Sequence, residues 1–132
     1  YGLRALNLLE GMHVTVYCLG GRLYRNSKAF VGDITEATLQ RIQVDKCFFS
    51  MSGISEDGIM SDAGEAENIL HRMMLKQNAK KICLVDSSKI ATRSMFRIGE
   101  ISDIDYIISD VDIYTLIKKP VDGKIPTFIL AQ

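Results

Sequence analysis

Apolar residues gather in short, nearly continuous runs, and in the segments between them the apolar positions recur every three or four residues. The runs suit strands of a buried parallel sheet, and the spaced segments suit helices with one buried face. RALNLLE opens the chain as a short helix with Leu6 and Leu9 one turn apart, and HVTVYCLGG (13–21) follows as the first strand. DITEATLQRI (33–42) is a short amphipathic helix in which Asp33 and Glu36 have the spacing of a capping box. VDKCFFSMSG (44–53) is the next strand, expected to be buried on both faces. The capping spacing returns at Asp62 and Glu65, before a longer helix whose apolar stripe runs through Ala66, Ile69, Leu70, Met73 and Met74 to Gln77. KKICLVD (80–86) and DYIISD (105–110) are two further strands, DIYTLIKKP (112–120) is a helix stopped by Pro120, and PTFILA (126–131) is the last strand.

Strand and helix alternate without an internal repeat or a Gly/Ser-rich linker, which predicts one α/β domain over residues 1–132 with a mostly parallel sheet and flanking helices. Sixteen Lys and Arg balance sixteen Asp and Glu, whereas a nucleic-acid module normally carries a basic excess. This segment alone is therefore expected not to bind DNA. Its apolar runs are strand-sized, far short of the ~18 residues of a membrane helix, so a soluble domain without a membrane partner is expected. Cys18, Cys47 and Cys83 stand singly, with no metal-binding spacing, and are expected to be buried reduced thiols of an intracellular, cytoplasmic protein. His13 and His71 have no carboxylate or cysteine at ligand spacing and read as structural. The chain starts at Tyr1 without an initiator methionine or a signal-type stretch, so it is expected to be a piece of something longer.

Parallel sheets bind ligands outside the carboxyl ends of their strands. At those positions stand Gly20 and Gly21 after CL, Ser50, Ser52 and Gly53 in SMSG, Asp86, Ser87, Ser88 and Lys89 in LVDSSK, and Ser109 and Asp110 in IISD. Hydroxyls, glycine amides and a lysine are the groups that cradle an anion, through close backbone approach and several donated hydrogen bonds. Each also has a plainer explanation: a turn at the glycines, a cap at Asp86 to Ser88, a solvated lysine at Lys89. No Walker loop, GxGxxG, HExxH or GxSxG is present, so nucleotide hydrolysis, dinucleotide binding and the familiar hydrolase sites lack support, and no cofactor is expected.

Taken in order, LGG (19–21), FVGD (30–33), VDKCFFSMSGIS (44–55), Gly58, Glu67, CLVDSSK (83–89) and ISDIDYIISD (101–110) resemble the effector-sensing domain of DeoR/GlpR-type transcriptional repressors over nearly the whole chain. The most specific stretches are Asp45 to Ile54 and Leu84 to Lys89. The sequence departs from the family's habit at His71, where a lysine is common, and at Ile90 and Ala91, where an aromatic residue and a glycine often follow the lysine.

The resemblance implies a fold like that of ribose-5-phosphate isomerase and the CoA-transferases, and a sensor that binds a phosphorylated sugar and thereby alters DNA binding by an N-terminal helix-turn-helix. That helix-turn-helix and the family's D-S-G-T-T phosphate loop are expected upstream of Tyr1, leaving an incomplete pocket here. Operator DNA is a partner only through the absent domain, and a homo-oligomer is expected. In this scheme Lys89 pairs with ligand charge, Gly20, Gly21, Ser52, Gly53, Ser87 and Ser88 offer hydrogen bonds or close approach, and Asp86 binds a sugar hydroxyl. Two other functions compete with the sensor. One is a phosphosugar isomerase-like enzyme, for which Asp57, Glu65 and Glu67 are the candidate carboxylates; the other is a purely structural oligomerisation domain.

Overall fold

The computed structural model describes residues 1–120 and 122–132, and its internal contacts group them into two compact units, Tyr1–Ile42 and Gln43–Gln132. In the first unit, helix α1 (Leu3–Leu9) half-buries Leu6 and Leu9 on its common face. A hairpin follows, β1 (Arg22–Tyr24) against β2 (Ala29–Val31), and then helix α2 (Asp33–Gln40).

The apolar run at 13–21 is not a strand. An extended segment needs an open edge to satisfy its backbone groups. Here one edge of β2 is paired with β1 and the other is met by the chain start, through a Gly2 to Ala29 bridge and a bond from the Phe30 N–H to the Tyr1 carbonyl. Residues 12–18 lie exposed outside this pairing, Cys18 among them, which corrects the expectation that all three cysteines are buried. The Asp33 capping box is also absent. Gly32, at φ 96°, occupies the cap position, and Asp33 is the first helical residue, where its charge favours the positive end of α2.

The second unit is built on a four-stranded, wholly parallel sheet of β3 (Lys46–Phe49), β6 (Lys80–Leu84), β8 (Tyr106–Ser109) and β9 (Thr127–Leu130), in that spatial order. Between β3 and β6 the chain forms β4 (Gly53–Ile54), β5 (Ile59–Asp62) and helix α3 (Glu65–Lys76). With β7 (Phe96–Glu100), strands β4 and β5 make a small antiparallel sheet on which α3 packs. None of these three short strands stands out as a continuous apolar run, because each carries glycine, serine or charged residues.

Register explains the burial. Phe49, Cys83, Ile107 and Phe128 lie in one row across the parallel sheet, and the first three are buried. Leu84, Ile108 and Ile129 form a row on the opposite face, where Leu84 and Ile129 are exposed, and on that same face Phe48 is 56% exposed. Phe48 thus corrects the reading of 44–53 as a strand buried on both faces, although its neighbour on that face, Ile82, is buried.

Helix α3 also differs from its expected stripe. Its buried residues are Asn68, Leu70, His71 and Met74, while Ile69 is exposed. Asn68 turns inward because its amide donates to the Phe96 and Arg97 carbonyls of β7 at 3.1 and 3.0 Å. Asp62 is no cap: it ends β5, the cap position is Gly64, and the Asp62 carboxylate meets His71 Nδ1 at 2.8 Å. The expected helix at 112–120 is reduced to one 3-10 turn, Ile113–Thr115, capped by Asp112. Ile113 and Ile117 are buried as the pattern requires, but the Lys118 N–H donates to the Glu56 carbonyl at 2.7 Å and draws the chain out of the helical path.

Candidate functional site

Within the second unit, β3, β6 and β8 run in parallel, so their carboxyl ends bring Ser50, the segment Asp86–Lys89 and the pair Ser109 and Asp110 to one edge of the sheet. After β6 the chain makes a 3-10 turn, Ser87–Lys89. Asp86 caps it, accepting from the Ser88 N–H at 3.0 Å and from the Ser88 hydroxyl. The hydroxyl bond, helped by that N–H and by the Lys89 charge and only partly opposed by desolvation, holds the Asp86 carboxyl below the usual carboxylate range.

Ser87 is tied to the next strand end. Its N–H and hydroxyl donate to the two carboxylate oxygens of Asp110 at 2.7 and 3.0 Å. Lys89, half-buried, reaches back to β3 and donates from Nζ to Ser50 Oγ at 3.2 Å. Beneath it lie two buried sulfur side chains, with Cys83 Sγ 3.5 Å from Met51 Sδ. Burial pushes the Cys83 thiol up to about 12, partly offset by Lys89, so it stays protonated and inert.

The remaining predicted residues have packing roles of their own. Ser52 accepts from the Ala63 N–H at 3.0 Å and fixes the corner between β5 and α3. At Gly53 a side chain would run into Thr92, whose carbonyl oxygen would lie 2.9 Å from the added Cβ. The space that glycine leaves is filled by Thr92. Gly20 and Gly21 belong to the first unit, at φ 71° and 109°, where the Thr35 hydroxyl donates to the Gly20 carbonyl at 2.7 Å. A Cβ on Gly21 would strike Thr35 and lie 2.9 Å from the Val31 carbonyl. Of the carboxylates considered for isomerase chemistry, Asp57 is exposed and tied to the Ser55 hydroxyl, and Glu65 is exposed in the first turn of α3.

Two features of the site region escaped sequence reasoning. One is Asp110 as the partner of Ser87, 23 residues away. The other is Ala91, which adopts φ 56° in the left-handed region. A glycine would adopt this backbone without the penalty that the Ala91 Cβ incurs.

The model of the DeoR C terminal sensor domain matches residues 2–111. The chain belongs to the DeoR family. Among similar proteins, the HTH-type transcriptional repressor GlcR of Bacillus subtilis is 33% identical over 97 residues, 74% of this chain and 37% of that protein. The putative aga operon transcriptional repressor of Escherichia coli O157:H7 is 35% identical over 103 residues, 78% of this chain and 38% of its own length. The lactose phosphotransferase system repressor of Staphylococcus epidermidis is 30% identical over 101 residues, covering 76% of this chain and 40% of that protein. This DeoR-family chain thus spans about two-fifths of the length of such relatives, which are named as transcriptional repressors. No helix among the described residues is long and apolar enough to cross a membrane.

Proposed function

We propose that residues 1–132 are the effector-sensing part of a cytoplasmic transcriptional repressor of sugar metabolism, and that the loops after β3, β6 and β8 hold a phosphorylated sugar. The observation that carries this reading is the Lys89 ammonium, half-buried at the carboxyl edge of a parallel sheet and 3.2 Å from the Ser50 hydroxyl. A point cation beside a hydroxyl is a seat for one phosphate group. The names of the relatives, a lactose phosphotransferase system repressor among them, favour a sugar-type effector.

In the whole protein a helix-turn-helix would contact operator DNA, and the sensor would act as part of a homo-oligomer. An effector that binds one arrangement of the assembly more tightly shifts the population by its differential affinity and no further. The decisive test is isothermal titration of sugar phosphates into the whole protein and its Lys89→Ala variant. Loss of a hydrogen bond to a charged group is worth about 1.5–3 kcal/mol, so the variant should bind roughly 10- to 150-fold more weakly while remaining folded. Repression should persist and induction fail. Equal affinities would return Lys89 to the role of a surface lysine.

A further inference from the structure

We propose that β9 is an assembly surface, whose free edge pairs antiparallel with β9 of a second copy about a two-fold axis at Ile129 and so joins two parallel sheets into one. The inference gives the homo-oligomer of the preceding reading a contact surface, and it stands whether or not Lys89 seats a phosphate.

Strand β9 is the last of its sheet, with β8 on one side only. The Thr127 and Ala131 N–H groups donate to the Asp105 and Ser109 carbonyls, so the odd-numbered residues bond toward β8. The N–H and C=O groups of Phe128 and Leu130 consequently point away from the sheet, and the described residues form no bond to them. Such an edge is a template for another strand unless it is blunted, most often by charge. Strand β3, at the opposite edge, carries Lys46. From Ile125 to Gln132 the chain has no charged residue, and Ile129 and Leu130 are 43% and 54% exposed.

The bonding selects the register. Outward groups must meet outward groups, so an antiparallel copy can be centred on Phe128, Ile129 or Leu130. Centred on Phe128, it sets Leu130 against Pro126, which has no N–H and whose carbonyl already accepts from the Tyr114 hydroxyl at 3.2 Å. Centred on Leu130, it sets Phe128 against Gln132, beyond the end of the strand. Centred on Ile129, it sets Phe128 against Leu130 on both sides of the axis, and every outward donor and acceptor of the two strands is used. No like charges meet, because Thr127 then faces Ala131 and Ile129 faces its own copy.

The side chains agree with this register. Leu84, Ile108 and Ile129 form one row across β6, β8 and β9. The second Ile129 would stand ~4.5 Å away between Cα atoms, as in a non-hydrogen-bonded pair, and continue the aliphatic row into the other copy. The contact is self-complementary, as a two-fold interface requires.

The test uses the whole protein. Ile129→Cys in a Cys18→Ser background reads the register, since opposed cysteines at that spacing fit a disulfide and mild oxidation should give a covalent dimer. Thr127→Cys in the same background, ~14 Å from its counterpart, should cross-link at least tenfold more slowly. In sedimentation equilibrium Ile129→Lys should weaken self-association at least tenfold by opposing two like charges, and mixing it with Ile129→Glu should restore it. Leu130→Pro deletes an outward donor and no bond to β8, so it should melt near the wild-type temperature and still associate at least tenfold more weakly. A wild type that is monomeric at high micromolar concentration, no cross-link at 129, cross-linking as fast at 127, or variants that associate like the wild type would each overturn the proposal.

Discussion

Removing His71 tests whether the second unit depends on the buried polar contact in its core. Asp62 and His71 meet at 2.8 Å with side chains 4% and 5% exposed, and the imidazole also packs against the Phe49 ring at 5.8 Å between centroids. His71→Ala would leave the Asp62 carboxylate with almost no access to water and open a hollow beside Phe49. Breaking a buried pair in this way costs about 3–5 kcal/mol, a large part of the ~5–15 kcal/mol that holds a typical domain. If the unpaired carboxylate is the main cause, Asp62→Ala added to His71→Ala should not destabilise further. The two single losses should then exceed the double loss by about 2–3 kcal/mol, at the upper end of coupling between touching residues. Urea unfolding followed by circular dichroism measures all four corners of the cycle, with the slope m checked for constancy. Single and double losses that add within about 0.5 kcal/mol, or a His71→Ala loss under about 1.5 kcal/mol, would refute the pair as a stability element.

Three further outcomes follow from the geometry. Ala91→Gly should raise stability by about 1 kcal/mol, since the left-handed region penalises a Cβ by roughly that amount, and a lower urea midpoint would contradict it. A thiol reagent should label Cys18 quickly in the native protein, and Cys47 and Cys83, both buried with raised pKa, only on unfolding; fast labelling of two or three thiols would argue against this burial. The Asp105 carboxyl is held below its ordinary value, first by Lys124 and then by the Lys81 N–H, so its contribution is present above the unfolded carboxylate pKa near 4 and is lost as pH falls through the lower folded value. Asp105→Asn should therefore flatten the acid limb of the stability curve, and an unchanged limb would exclude that role.

The four parallel strands were legible because each is an apolar run flanked by polar residues, and the pairing required nothing beyond those runs. The run at 13–21 has the same composition and yet forms no strand, so composition alone could not tell the two apart. Asp62 shows the same difficulty at one residue. Its spacing to Glu65 is that of a cap, yet its partner lies nine residues on, through a fold that pattern reading does not supply. Of the site, the LVDSSK turn and Lys89 could be singled out from position alone. Their fastening to Ser50 and Asp110 could not, because those bonds join the ends of neighbouring strands.

That fastening has a consequence for signalling. The Ser87 to Asp110 bonds already hold the β6 turn against the end of β8, so an effector seated there as proposed would have little of the turn to order and would forfeit little binding energy in doing so. Stiffness of this sort limits how a message can leave the site. On the proposed reading it would travel as a small displacement of the strand ends rather than as the freezing of a slack segment. Such a sensor would report the current concentration of its effector and keep little record of the past.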